Sequence, residues 1–199
     1  MFTGIVAAVG RIERVAPAPG GVRLHIATGG LDMADVVLGD SIAVNGVCLT
    51  AVAFSPDHFE AEVSQATLSV VSGFAAGAAV NLEKALRLSD RLGGHLMSGH
   101  VDGIGLVTAF DAVGDNRRLE VEAPAAIARY IARKGSISIE GVSLTVNAVD
   151  GRRFEVNLIS HTLGATTLQH LVPGAPVNLE VDLLARYIER LQDAANTGT

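Results

Sequence analysis

Ser41-Ile-Ala-Val-Asn-Gly-Val-Cys-Leu-Thr50 returns 95 residues later as Ser136-Ile-Ser-Ile-Glu-Gly-Val-Ser-Leu-Thr145, with six of the ten positions identical. At the same offset Phe59-Glu60 meets Phe154-Glu155, and Thr67-Leu68 meets Thr162-Leu163. Two residues further out of step, Gly77 meets Gly174 and Val80-Asn-Leu-Glu83 returns as Val177-Asn-Leu-Glu180. Near the beginnings, another shift lets Met1-Phe-Thr-Gly-Ile5 overlie His100-Val-Asp-Gly-Ile104. A period near a hundred residues is too long for a solenoid, so the chain reads as a duplicated domain. The seam falls in Gly93-Gly-His-Leu-Met-Ser-Gly99, which gives units at 1–95 and 96–183 and a remainder at 184–199.

Each unit carries strand signals. Val22, Leu24 and Ile26 alternate with Arg23 and His25; Leu119 and Val121 alternate with Glu120 and Glu122; Phe154, Val156 and Leu158 alternate with Glu155 and Asn157. This period of two marks half-buried strands. Asn45-Gly46 between two apolar runs predicts a two-residue hairpin turn, and Asp150-Gly151 predicts another in the second unit. Short, evenly spaced strands point to an all-β fold, a small antiparallel barrel occurring twice, since closure removes exposed edges. A helix is predicted over Ala125 to Arg133 after Pro124, with Ile127, Tyr130 and Ile131 on one face. Another closes the chain, where Leu184, Ile188 and Leu191 recur at i, i+4 and i+7. That last helix belongs to neither copy, so it either docks back on its own chain or supplies a subunit contact.

The totals narrow the function. The chain has 199 residues, a formal charge of −6, 49% hydrophobic residues and 22 glycines, the profile of a turn-rich globular protein. Its 15 basic residues are scattered, so no patch is offered to nucleic acid. Disorder is expected only over the tail Ala194 to Thr199. Arg11 and Glu13 interrupt the N-terminal apolar residues before a signal sequence forms, and the longest apolar run, Val70 to Val80, is far short of the ~20 residues of a membrane span. The lone Cys48 agrees with a reducing compartment, and a cytoplasmic location is expected.

The chemistry gathers around the repeat. Period two sends Val47 and Leu49 to one face and Cys48 and Thr50 to the other, and Ser143 and Thr145 take the matching face in the second copy. Small hydrogen-bonding side chains opposite a buried pair suit recognition of a polar ring, although Thr is also an ordinary strand former. Cys48 is either a small buried hydrophobe or a nucleophile that would need a cationic neighbour. The run from Gly93 to Gly103 sets His95, His100 and Asp102 among glycines that permit close approach to a ligand. His100 is the proton-exchanging candidate, and His95 reads as a hydrogen-bonded loop histidine. The spacing is no strong zinc signature, so a metal-dependent hydrolase is the distant rival, and no stoichiometric metal is expected. Lys134 is either a solvated lysine or a contact to an anionic ring edge.

Met1-Phe-Thr-Gly-Ile5, Asn45-Gly-Val-Cys-Leu-Thr50, Gly93-Gly-His-Leu-Met-Ser-Gly-His100, Gly141-Val-Ser-Leu-Thr145 and Val177-Asn-Leu-Glu180 together resemble the riboflavin synthase α-chain family over almost the whole chain. The resemblance implies two six-stranded barrels, each binding a lumazine, and a C-terminal helix joining three chains. It implies a transferase reaction without cofactor, in which two molecules of 6,7-dimethyl-8-ribityllumazine give riboflavin and 5-amino-6-ribitylaminopyrimidinedione by transfer of a four-carbon unit. The competent site would lie where the first barrel of one chain meets the second barrel of a neighbour.

By matching motif, the resemblance gives the first pocket Gly4, Ile5, Val6, Cys48, Leu49 and Thr50, with Glu62, Val63, Ser64, Gln65, Ala66 and Thr67. It gives the second Gly99, His100, Val101, Lys134, Ser143, Leu144 and Thr145, with Leu158, Ile159, Ser160, His161, Thr162 and Leu163. Cys48 and His100 would matter most for turnover, supported by Phe2, Ser143 and Asp182. The chain departs from the family at Ser160, where proline is usual, and at Ala66, where an acidic residue is common. The nearest rival is a non-catalytic lumazine- or flavin-binding protein of the same fold, against which the retention of Cys48 and His100 speaks.

Overall fold

The repeated alternation becomes two closed barrels in a computed structural model that describes residues 1–197, with side chains through Ala195. The first barrel is built from β1 (Ala8–Ala18), β2 (Gly21–Ala27), β3 (Ser41–Val44), β4 (Val47–Phe54), β5 (His58–Ser64) and β6 (Ala79–Lys84). The second uses β7 (Gly103–Val113), β8 (Asn116–Glu122), β9 (Ser136–Ile139), β10 (Val142–Asp150), β11 (Arg153–Leu158) and β12 (Pro176–Val181). Both close in one order, β1-β2-β5-β4-β3-β6 and β7-β8-β11-β10-β9-β12, with every pairing antiparallel. Identical order follows from the duplication.

Every second side chain fills a barrel. Leu24, Ile26, Val47, Leu49, Phe59, Ala61 and Val63 enter the first core, and Leu119, Val121, Val142, Leu144, Phe154, Val156 and Leu158 enter the second. Burial of such side chains contributes on the order of 1.5–3 kcal/mol each. A β-bulge in β1 at Glu13 recurs in β7 at Thr108, because each strand must bend to close its barrel.

Asn45-Gly46 forms the expected turn, both residues at positive φ. Its true counterpart is Glu140-Gly141, also at positive φ, between β9 and β10. At the other predicted turn Asp150 pairs with Arg153, so the loop residues are Gly151-Arg152. The two counterpart turns lie back to back: a Cβ on Gly46 would sit 2.8 Å from the Gly141 nitrogen, so only glycine fits.

The helices are short: α1 (Gln65–Leu68), α2 (Ala125–Ala128) and α3 (Ser160–Ala165). The helix expected to reach Arg133 stops after one turn. Tyr130 and Ile131 donate to carbonyls three residues back, and the chain tightens to bring Lys134 onto the Val146 carbonyl at 2.8 Å. The final helix, α4 (Leu183–Thr197), runs through part of the expected tail, and residues 198–199 lie outside the described ones. Its polar side faces the second barrel, with Arg186 paired to Asp102 and Glu189 to Arg129 and Tyr130. Leu184, Tyr187, Ile188 and Leu191 are exposed. No helix among the described residues is long and apolar enough to cross a membrane.

Candidate active site

The N-terminal segment of each copy leaves its own barrel and docks on the other. The Gly4 carbonyl accepts from the Ser143 amide at 2.9 Å, and Val6 packs against the second core. Reciprocally, the Gly99 carbonyl accepts from the Cys48 amide at 2.8 Å, and Val101 packs against the first core. Phe2 and Met97 pair through both backbone bonds where the segments pass. A Cβ on Gly4 would fall 2.5 Å from Ser143 Cβ and one on Gly99 would fall 2.6 Å from Cys48 Cβ, so the approach requires glycine.

Two buried glutamates anchor these segments. Glu83 accepts from the Thr3 amide (2.7 Å), the Thr3 hydroxyl (2.6 Å) and the Gly4 amide (3.0 Å). Glu180 accepts from the Ser98 amide (2.6 Å), the Ser98 hydroxyl (2.7 Å) and the Gly99 amide (2.9 Å). Burial raises both carboxyls above their ordinary range, and these hydrogen bonds oppose the rise. Neither glutamate was among the site residues expected from sequence. Their signal was the repeated Val-Asn-Leu-Glu, which has no meaning until the Thr-Gly and Ser-Gly pairs it holds are also aligned.

The anchors correct two expectations. Thr3-Gly4-Ile5-Val6 matches Ser98-Gly99-His100-Val101 at the common offset of 95, so Ile5 rather than Met1 is the counterpart of His100. Matching Gly4 to Gly103 by letter had hidden the Thr/Ser equivalence. The grouping of pocket residues is also exchanged. Gly99, His100 and Val101 join Cys48, Leu49, Thr50 and the stretch Glu62–Thr67 on the first barrel. Gly4, Ile5 and Val6 join Lys134, Ser143, Leu144, Thr145 and the stretch Leu158–Leu163 on the second.

Within each set the side chains divide. Leu49, Val63, Leu144 and Leu158 point into the cores and leave only backbone at the surface. Thr50, Glu62, Gln65 and Ala66 are exposed on the first barrel, and Ile5, Thr145, Lys134, Ile159, Ser160 and His161 on the second. Ser64 caps α1 by accepting from the Thr67 amide, while Ser160 donates to the Asp115 carbonyl at 3.0 Å. Lys134 adopts φ 69°, where its counterpart Gly39 has φ 93°. A left-handed lysine is strained, and such strain concentrates at functional positions.

Cys48 is half-buried against Phe2, Ala43 and Met97. Phe2 is wholly enclosed there, packed behind Cys48. His100, one residue beyond the carbonyl that Cys48 binds, is exposed beside a cleft of about 320 Å³ lined by Ser98, Val101, Glu180 and Arg186. Ser143 has a different neighbour. Its hydroxyl lies 2.7 Å from His95 Nδ1, while His95 Nε2 is buried without a partner. Burial lowers the His95 pKa, and the Asp182 charge opposes that shift. Asp182 also caps α4 through the Leu184 amide at 3.0 Å. With Asp102 bound to the Val181 amide (2.7 Å) and Arg186, the residues of the rival metal reading do not converge.

Comparison with known proteins identifies this arrangement. The lumazine binding domain family matches at residues 3–85 and 98–182, each match opening on the hydroxyl residue that a glutamate anchors. Riboflavin synthase of Photobacterium phosphoreum is 44% identical over 193 residues, 96% of this chain and 88% of that protein. Riboflavin synthase of Mycobacterium bovis is 44% identical over 98% of this chain and all of that one, and that of Bacillus subtilis is 35% identical over 98% and 92%. The chain belongs to the riboflavin synthase family. LumP complexed with riboflavin superposes on this family member with a TM-score of 0.82 at 26% identity, covering 91% of this chain and 99% of that one. LumP complexed with 6,7-dimethyl-8-(1'-D-ribityl) lumazine gives 0.81 at 25% identity over the same shares.

Proposed function

We propose that the protein is a riboflavin synthase, converting two molecules of 6,7-dimethyl-8-ribityllumazine into riboflavin and 5-amino-6-ribitylaminopyrimidinedione by transfer of a four-carbon unit, without a cofactor. The observation that carries this reading is the reciprocal exchange of segments, which builds two pockets on one plan with different polar atoms. Two identical reactants playing different parts call for two such pockets. Holding them in register contributes on the order of 7–11 kcal/mol to lowering the barrier.

That Gly99, the neighbour of His100, accepts from the Cys48 amide supports a shared site for a base and a thiol. A base, for which His100 is the candidate, takes a proton from the 7-methyl group of one lumazine. Cys48 or a water adds to the ring of the other. In the second pocket Ser143, oriented by His95, and Lys134 are placed to bind the polar ring edge. The exposed shelf on each barrel needs a cover, and the apolar stripe Leu184, Tyr187, Ile188 and Leu191 offers a contact for joining copies. We infer a cytoplasmic homotrimer whose competent site pairs the first barrel of one chain with the second barrel of another.

The test is to supply only 6,7-dimethyl-8-ribityllumazine in chelator-treated buffer and follow riboflavin. Formation of riboflavin and the pyrimidinedione in equal amounts is expected. Tight lumazine binding with no riboflavin would replace this reading with a non-catalytic binding protein.

A further inference from the structure

On the outside of the first barrel, Glu13, His25 and His58 turn their ligating atoms toward one point. Glu13 Oε2 lies 3.3 Å from His25 Nδ1 and 3.0 Å from His58 Nε2, and the three atoms fall within 4.8 Å of one another. Ligands around a tetrahedral zinc ion at ~2.0–2.1 Å stand about 3.3 Å apart. The rings of His25 and His58 are 5.0 Å apart between centroids. The three residues sit on the adjacent strands β1, β2 and β5, and the β1 bulge is what aims Glu13 at His25.

We propose that Glu13, His25 and His58 form a binding site for a zinc-class divalent cation, with water completing its coordination. Two imidazoles and one carboxylate with an open position are a donor set that suits such a cation and not magnesium or calcium, which prefer oxygen alone. The other nitrogen of His25 faces Glu60 at 3.9 Å, while Nδ1 is turned toward Glu13. Glu60 and Glu62 share the guanidinium of Arg23, and Glu13 adds a third carboxylate beside the two imidazoles, a field that attracts a dication. All three donor side chains keep solvent access, and a cleft of about 190 Å³ opens beside His25 and His58.

The duplication supplies an internal control. At the offset of 95 the same positions carry Thr108, Glu120 and Arg153. There the Thr108 hydroxyl donates to Glu120 at 2.5 Å and Arg153 lies 3.9 Å from Glu120. The barrel therefore closes around this bulge without imidazole, and the Glu-His-His set is not something the fold demands. The site lies outside the crossing segments and away from the residues assigned to turnover.

The experiment titrates zinc into the chelator-treated full chain by calorimetry, beside the variant Glu13→Thr, His25→Glu, His58→Arg, which copies the second barrel. One zinc per wild-type chain is expected, with no magnesium uptake. The variant should bind at least about 100-fold more weakly while keeping wild-type riboflavin formation, which reports its fold. His58→Gln alone serves as a milder variant, with the same direction expected. A wild-type isotherm in these variants, or no zinc uptake by the wild type at ~1 mM, overturns the proposal.

Discussion

Glu140 allows the inter-barrel contact to be tested by charge alone. It is 7% exposed, in the turn that abuts Asn45-Gly46, and its Oε1 accepts from the Asn178 amide at 2.5 Å. In the first copy Asn45 does the same without charge, its Oδ1 accepting from the Asn81 amide at 2.8 Å. Burial pushes the Glu140 carboxyl from 4.5 up to about 8, only partly opposed by the Asn178 bond. Because the folded state holds this proton more tightly than the unfolded one, the stability it confers is complete below 4.5 and is lost as the pH rises through 8. At ~1.36 kcal/mol per unit the loss is about 3 kcal/mol at pH 7 and approaches about 5 kcal/mol above pH 8. Glu140→Asn removes the charge and keeps the acceptor, and Asn tolerates positive φ better than Glu. In urea unfolding at fixed protein concentration, the variant should gain about 1 kcal/mol at pH 5 and several more at pH 8.5, with unchanged m-values. An equal gain at both pH values, or a loss at pH 8.5, would refute the reasoning.

Glu83→Ala should expose the Ser143 amide to hydrogen exchange and Glu180→Ala the Cys48 amide, because each glutamate holds the segment that covers the opposite barrel. Each substitution also strands three donors, at about 1–3 kcal/mol apiece, and protection lost on the same barrel instead would contradict the exchange. Cys48→Ala and His100→Ala should lower turnover far more than lumazine binding, and wild-type rates would remove both from the mechanism. A chain ending near Leu183 should sediment as a smaller species than the full chain, whereas an unaltered trimer would exclude the α4 stripe from assembly.

How far the sequence could be read depended on whether a signal was local. Alternation at Val22, Leu24 and Ile26 and the Asn45-Gly46 turn report backbone geometry directly, so the strands, barrels and duplication were legible. Cys48 and Thr50 opposite Val47 and Leu49 follow from period two and stand that way in the fold. The exchange of the segments at Gly4 and Gly99 was not legible, because both docking partners are distant in sequence and the copies are alike enough to fit either barrel. Glu83 and Glu180 stand in the sequence only as the last letters of a repeated Val-Asn-Leu-Glu, and their meaning comes from the distant Thr3 and Ser98 that they hold. His95 reads as a loop residue in isolation; its bond to Ser143 depends on Gly94, where a Cβ would lie 2.7 Å from the Ser143 hydroxyl. The end of α2 was missed because the helical period continues while the hydrogen bonds change.

Exchange also changes what the differences between the copies mean. Had each segment stayed with its own barrel, His100 would accompany Ser143 and His95, gathering the imidazoles in one pocket and leaving Cys48 with Ile5. Crossing distributes them: thiol and exposed imidazole on the first barrel, hydroxyl, buried imidazole and the left-handed Lys134 on the second. Cys48 stands where the second copy has Ser143, so the Ser143–His95 pair belongs to one copy alone. The shared residues, Glu83 and Glu180, Gly4 and Gly99, Asn81 and Asn178, hold the crossing symmetric. In the proposed reaction, symmetry in that frame would let unlike side chains meet two identical ring systems at equivalent positions, and so give one lumazine a different part from the other.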